Sequence, residues 1–398
     1  MTVYTNTITN GPAPRIHALV IGVGVYPYCG KRVPWGEPLK PLLGALHELT
    51  CAPLSAIRVA RWLIEADWSK SDVKLGTVDV LLSSGTAGHW PTDLPRPEPE
   101  RAVYDNVRAA WKRWAASCDQ DKDNIGLLYF CGHGWGTARK YLLVEDLAED
   151  IDHWKDRLID FTKTRKSMRA CKALTQCFFL DTCSDAPADL REDWELYGPD
   201  LILHNPKAAT RSQASSATQA YNPVFAPTPP GIASNVEPHK VTPFADALVK
   251  TLDGLGATTD GESWEILNTN LSSRFEDVLR WDWPTLSAGD ELYVEPPDSR
   301  RVTVLRRLPD APTVPFRLDC TPESARASAH WSLQCRLTNK TRSRRPGRAD
   351  KWESKTKASS YDLTVRFDDG VHETLIQPGR DISPPKYEDK LKLKRLTS

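Results

Sequence analysis

The chain has 398 residues, 40% of them hydrophobic, which is enough to bury more than one core. Lys+Arg and Asp+Glu stand at 52 each, so the formal net charge is zero and a whole-chain polyelectrolyte role is excluded. The nine cysteines are scattered and include no CxxC pair, which argues against a disulfide framework or structural zinc and for a reducing compartment.

Residues 1–15 are polar and offer no apolar segment for a signal peptide. No apolar run approaches the roughly 20 residues that span a bilayer, so a cytoplasmic location without membrane attachment is expected. The continuous apolar run 17–25 predicts a strand buried on both faces. Its Gly22 and Gly24 hint at a phosphate loop, but the third glycine of the dinucleotide fingerprint is missing and no helix follows directly. A loop punctuated by Pro, Gly and Trp covers 27–41. Apolar residues at helical spacing predict a helix over 54–67, and 78–82 reads as a second strand. A Pro-rich loop at 91–99 leads to a helix over 103–116, with Val107, Ala110, Trp111 and Trp114 on one face.

A third strand, 125–130, runs into Cys131-Gly-His-Gly134, and 141–144 reads as a short strand. Helix is expected over 151–173. A fourth strand, 177–180, runs into Asp181-Thr-Cys-Ser184, and 201–204 reads as a fifth. The Ser/Ala/Thr-rich and then Pro-rich stretch 208–238 is expected as loop, and 244–255 and 264–279 as helices. Strands alternating with helices predict an α/β domain with a mostly parallel sheet over 1–290.

Beyond about 292 the pattern becomes period two, in 330–337, 361–367 and 391–394, with a tight-turn signal at Asp368-Asp-Gly370. A small antiparallel β domain, sandwich-like, is expected over 291–398. From Arg300 onward there are 22 Lys+Arg against 12 Asp+Glu, a net of +10, so the remainder carries −10. The segment 340–357 holds eight Lys/Arg. It is expected as a solvated loop that serves recognition or regulation, docking to a protein partner or to the acidic body. Nucleic acid is not an expected partner, because aromatics other than Trp352 do not interleave the charges.

Both His133 and Cys183 follow hydrophobic strands, at the carboxyl edge where parallel sheets build their sites. A thiol attacking an amide needs a base to take its proton and an acid to protonate the departing amine, and one histidine serves for both. Gly132 and Gly134 flank the histidine and allow close backbone approach. Singly, either residue reads as an ordinary strand end; together, one topology and one sheet edge agree.

The run Asn124–Gly134 resembles the strand and His-Gly of caspase-like peptidases, and Cys177–Ser184 resembles their strand and Asp-x-Cys. The 50-residue separation of His133 and Cys183 matches a spacing known for caspases. Residues 17–25, 213–217 and 242–248 are similar to further metacaspase and caspase segments in the same order, so the resemblance covers about 14–280. It implies a caspase-like three-layer αβα fold and a cysteine endopeptidase acting on protein substrates. Cys183 would be the nucleophile, His133 the general acid and base, and the N–H groups of Gly134 and Cys183 the oxyanion hole. Asp181 matches the acid of the metacaspase S1 pocket, which would select Arg or Lys at P1, with Gln213 and Ser215 on the opposite wall. Asp-Thr-Cys-Ser-Asp departs from the Gln-Ala-Cys-x-Gly of animal caspases, which argues against cleavage after Asp. The second metacaspase S1 acid falls near Ser55. No cofactor is required. The resemblance leaves calcium open, through the acidic run Glu145, Asp146, Glu149, Asp150 and Asp152 together with Asp189; the plainer expectation for that run is a solvated face. Bacterial caspase-like proteins with added domains often serve in defence or regulated cell death, the role the resemblance implies. The competing expectation is a catalytically silent scaffold, against which stands the presence of both His133 and Cys183.

Overall fold

The computed structural model describes residues 2–5, 14–31, 33, 40–85, 89–136, 140–183, 220–228, 240–284 and 302–396, with Pro41, Cys183 and 220–228 described by their backbone only. The chain is mixed α/β and forms two compact units. Met1–Val249 and Leu267–Arg306 make the first; Lys250–Ile266 and Arg307–Ser398 make the second. The chain thus passes between the units at 249/250, 266/267 and 306/307, and contacts within the first unit hold the segment up to 306 there. Thr303 N–H donates to Asn268 Oδ1 at 2.7 Å, and the Thr303 and Thr175 hydroxyls bond at 2.9 Å. The Arg306 guanidinium lies 5.6 Å and 5.5 Å from the ring centres of Trp62 and Trp68.

The first unit is built on a six-stranded sheet of β1 (Thr2–Thr5), β2 (Arg15–Val23), β3 (Lys74–Ser83), β4 (Ile125–Gly132), β8 (Thr175–Cys183) and β9 (Ala220–Thr228). Their order is β1-β3-β2-β4-β8-β9. All neighbours pair in parallel except β1, which runs antiparallel to β3. Both faces of β2 are covered, which explains its uninterrupted apolar run. Leu19, Ile21 and Val23 join a core with Val107, Ala110, Trp111 and Trp114 of helix α3 (Tyr104–Cys118). The alternate residues meet helix α2 (Cys51–Glu65), which follows the one-turn α1 (Lys40–Leu43). A Cβ at Gly22 would stand 2.7 Å from Ala56 Cβ and 2.9 Å from Ala52 O. This glycine therefore serves close helix packing, and the space a phosphate would need is filled.

After β4 the chain folds into a small antiparallel sheet, β5 (Gly134–Gly136), β6 (Lys140–Leu143) and β7 (Leu158–Asp160). The helix expected over 151–173 is in fact a 3-10 turn (Trp154–Arg157), β7 and then helix α4 (Phe161–Met168). Asp160 starts α4 late by accepting the Lys163 N–H at 2.8 Å. Strand β9 falls within the stretch expected as loop. Its Pro223 and Pro227 signalled loop, but among the described residues β9 is the last strand of the sheet, where a missing N–H is tolerated. The strand expected at 201–204 lies outside the described residues. Helix α5 (Pro243–Lys250) continues as a π-helical turn to Leu255, and helix α6 is Leu271–Asp282. Phe244 of α5 meets Phe275 of α6 with ring centres 4.8 Å apart.

In the second unit, Trp264 begins a strand instead of the expected helix. It opens β11 (Trp264–Leu267), which pairs antiparallel with β10 (Ala257–Thr259). After β12 (Val304–Arg307) come two sheets sharing one core. One has the order β16-β13-β19, from β13 (Thr313–Thr321), β16 (Trp352–Lys357) and β19 (Tyr387–Lys392). The other has the order β15-β14-β17-β18, from β14 (Ala329–Cys335), β15 (Thr341–Arg344), β17 (Ser359–Phe367) and β18 (Leu375–Ile382). Inward residues alternate along each strand, as in Val314, Phe316, Leu318 and Cys320 against Trp331, Leu333 and Cys335. The pairing is antiparallel apart from β13 with β19, which is parallel.

Candidate functional site

The site stands at the carboxyl edge of the parallel sheet, on β4 and β8. Their register pairs Cys131 with Asp181 and Gly132 with Thr182. The next residue on each strand is His133 and Cys183, and neighbouring strands lie about 4.8 Å apart. Gly134 is drawn onto the same edge, since a Cβ there would stand 3.0 Å from both Thr182 Cβ and Tyr141 O. Only glycine lets the turn after His133 approach β8 this closely. The Cys183 side chain, Gln213 and Ser215 lie outside the described residues.

His133 is half-buried and held from three sides. Its backbone N–H donates to the Tyr26 hydroxyl at 2.8 Å, and its carbonyl accepts the Leu143 N–H at 3.2 Å. Tyr26 Oη in turn lies 3.4 Å from the carbonyls of both Val23 and Leu143. A Cβ at Gly132 would stand 3.0 Å from that hydroxyl, so the first glycine of Gly-His-Gly makes room for the tyrosine. On the ring, Nε2 lies 2.8 Å from the carbonyl oxygen of His47. A carbonyl only accepts, so Nε2 carries the proton and Nδ1 keeps its lone pair. The His47 N–H is 3.4 Å from the same Nε2, a contact too long to compete. No hydrogen bond to Nδ1 is present among the described residues. Burial lowers the His133 pKa to about 4, with the His47 carbonyl opposing and the His47 ring adding to the effect. The imidazole is therefore neutral at pH 7, with its proton on Nε2.

Asp181 is 4% exposed and sits in a buried polar network. Its Oδ2 accepts from Tyr129 Oη at 2.8 Å and from the Thr242 hydroxyl. Thr242 precedes α5 and caps it, its Oγ1 accepting the Ala245 N–H at 3.1 Å. Ser55 of α2 completes the network by accepting the Thr242 N–H at 2.8 Å, with its hydroxyl 3.2 Å from Thr242 Oγ1. Asp181 and Ser55 are thus joined through Thr242. Burial first, and the Asp181 charge second, push the Tyr129 hydroxyl and the Cys131 thiol well above their ordinary pKa values.

Three further thiols of this unit stay protonated at neutral pH. Burial pushes Cys29 and Cys177 up to about 12 and Cys171 up to about 11.

The acidic run after β6 is bound by the protein itself. Glu145 accepts from Ser83 Oγ at 2.5 Å and from Arg101 Nε at 2.9 Å. Asp146 accepts the Tyr104 N–H at the start of α3, at 2.7 Å, and pairs with Arg157. Glu149 is 2.9 Å from Arg157, and Asp150 is 3.0 Å from His153 Nδ1. Glu145 and Asp146 are buried, not the solvated face that was expected. A calcium ion here would have to displace these cations. Among the described residues no group of three or more His, Cys, Asp and Glu is arranged to hold a metal, and Asp189 lies outside them. No described helix is long and apolar enough to cross a membrane.

Tyr26, His47, Tyr129 and Thr242 were not singled out in the sequence. Tyr26 and His47 come from the irregular 24–50 segment, and His47 acts through a backbone carbonyl, which leaves no residue-type signature.

No family model matches the chain. It is similar to the uncharacterized protein y4kE of Sinorhizobium fredii (strain NBRC 101917 / NGR234), 24% identical over 277 residues, which is 67% of this chain and 76% of that protein.

Proposed function

We propose that the chain is a caspase-like cysteine endopeptidase of the cytoplasm, its first unit a three-layer αβα peptidase domain and its second a recognition or regulatory domain. The observation that carries the reading is the β4–β8 register, which brings the residues following Gly132 and Thr182 to one sheet edge. These residues are His133 and Cys183. The oriented, neutral imidazole supports it further.

In the proposed mechanism His133 Nδ1 takes the Cys183 thiol proton as sulfur attacks the scissile carbonyl. The oxyanion is met by the N–H groups of Gly134 and Cys183. Collapse breaks the C–N bond, and His133 returns its proton to the departing amine. Water then attacks the thioester with His133 again as base, the carbon–sulfur bond breaks, and the proton goes back to sulfur. The His47 carbonyl fixes the productive tautomer throughout, the role an orienting acceptor plays for a catalytic histidine.

Asp181 supplies the negative charge for an Arg or Lys side chain at P1, with Gln213 and Ser215 on the facing wall. Tyr129 and Thr242 orient the carboxylate by donating to it. The test is fluorophore release from short peptides with Arg, Lys or Asp at P1, with and without calcium. Wild type is compared with Cys183→Ala and His133→Ala. Cleavage after Arg or Lys that both substitutions abolish is the expected result. Turnover unchanged in Cys183→Ala contradicts the mechanism.

A further inference from the structure

The second unit carries a concave basic surface that the peptidase reading does not use. A depression of about 780 Å³ is lined by Arg326, Ser343, Arg344, Arg345, Pro346, Arg348, Asp350, Lys351, Trp352 and Glu353. Five cations thus face two acids. The two kinds of cation there have different roles. Arg326 is pinned to Asp319 by bonds of 2.7 Å and 3.0 Å. Arg344 is 11% exposed and donates to Asp350 Oδ1 at 2.8 Å and to the Asp350 carbonyl at 2.9 Å. These two brace the chain between β15 and β16. Gly347 completes the brace, with φ +105 and its N–H donating to Ala327 O at 2.7 Å.

The remaining cations are surplus. Of the acids, Asp350 is paired with Arg344, and Glu353 shares Arg317 with Glu388, at 2.5 Å and 2.7 Å. Arg345 and Arg348 are exposed, and their side chains have no ion pair or hydrogen bond among the described residues. Lys351 reaches Asp319 only at 3.9 Å. Exposed Arg342 and Lys355 carry the positive surface beyond the depression along β15 and β16. The expectation of a freely solvated loop is therefore wrong in form, because a braced turn presents the charges in a fixed concavity.

We infer that this surface binds the phosphate backbone of duplex nucleic acid without reading its sequence. Three features select that partner. Guanidinium forks match phosphate oxygens, and several surplus cations spread over one concave surface suit a polyanion better than a single small anion. An acidic protein would need an apolar or aromatic centre to its interface, but apart from Pro346 the only apolar lining residue is Trp352, which is 7% exposed and packed on Phe316. A single strand would need exposed rings for its bases to stack on, and the concavity offers none, whereas a duplex hides its bases and offers only phosphates. The want of interleaved aromatics around 340–357 therefore counts against a single strand and not against a duplex.

The test is fluorescence polarisation of a labelled random-sequence DNA duplex with the full chain, over a salt series. Wild type should bind with a steep loss of affinity as salt rises. Arg345→Ser/Arg348→Ser should lose affinity on the order of 10-fold or more, and its log–log salt slope should fall by roughly 2, one for each phosphate contact. Arg348→Ser alone should show about half of that slope change. Exposed Lys163→Ser/Lys166→Ser on α4 should leave binding intact, and all variants should melt like wild type. The inference is overturned by no binding of the duplex at low salt, by equal losses in the Lys163/Lys166 control, or by tighter binding of a single strand. Displacement of the duplex by polyglutamate at matched charge overturns it in favour of an acidic protein partner.

Discussion

His17 makes the fold sensitive to acid in a way that can be calculated. It is 4% exposed on β2, with Nδ1 2.9 Å from Thr77 Oγ1 and Nε2 without a partner among the described residues. Burial, aided by the Arg15 charge, lowers its pKa to about 4. In the unfolded chain its pKa is about 6.5. The folded state thus excludes a proton that the unfolded state binds, so stability is complete above pH 6.5, falls as pH drops toward 4, and levels off below. Integrating between those two values gives a loss of about 2 kcal/mol from pH 7 to pH 5 for this residue alone. His17→Leu removes the titration and the unpaired nitrogen and keeps the backbone carbonyl to which Trp114 Nε1 donates at 2.8 Å. Urea melts of wild type and His17→Leu at pH 7 and pH 5 read the difference directly. The variant should be at least as stable at pH 7 and should lose about 2 kcal/mol less on acidification. Equal losses in the two proteins would refute the reasoning, because His17 would then protonate as readily in the fold as outside it.

Other expectations follow from the site. Because the His133 pKa is lowered to about 4, its base form persists as pH falls, and the acid limb of a peptidase pH–rate profile should lie near 4; a limb near 6.5 would contradict the lowered pKa. Tyr26→Phe strips the acceptor from the His133 N–H and should cost about 1–3 kcal/mol in a urea melt, with kcat falling more than KM changes. Gly134→Ala drives a Cβ to 3.0 Å from Thr182 Cβ and should destabilise the fold by about 1–3 kcal/mol while abolishing turnover; unchanged melting would show that the turn has room to yield. Asp181→Asn should remove the preference for Arg or Lys over neutral P1 residues in a peptide panel, and a preference left intact would rule Asp181 out of S1.

The parts legible in the sequence are those whose physics is local. The strands β2, β4 and β8 declare themselves by apolar runs, because helices bury both sheet faces, and α2 and α3 by helical spacing. The failures are equally physical. Trp154, Leu158, Ile159 and Phe161 fall at near-helical spacing, but Asp160 caps a new helix and splits the segment. Pro223 and Pro227 hide an edge strand because the cost of proline depends on whether its N–H side is paired, which the sequence does not say. Trp264 begins a strand whose partner, β10, offers too few residues to show a period. His133 and Cys183 could be put on one sheet edge because each follows a parallel strand, and the register of β4 with β8 agrees. The groups that hold His133 and Asp181 could not. Tyr26 and His47 come from irregular segments 107 and 86 residues away, and Thr242 reaches Asp181 across 61.

The central claim rests on which thiol is nucleophilic. Among the described residues Cys335 is a competitor, since hydrogen bonds from Ser359 and Thr338 overcome burial and lower its pKa to about 7. Incubating the full chain with a peptidyl-arginine acyloxymethyl ketone and mapping the adduct by mass spectrometry separates the two. A single adduct on Cys183, lost in His133→Ala, is expected. An unlabelled Cys183, or an adduct on Cys335 that His133→Ala leaves untouched, would contradict it.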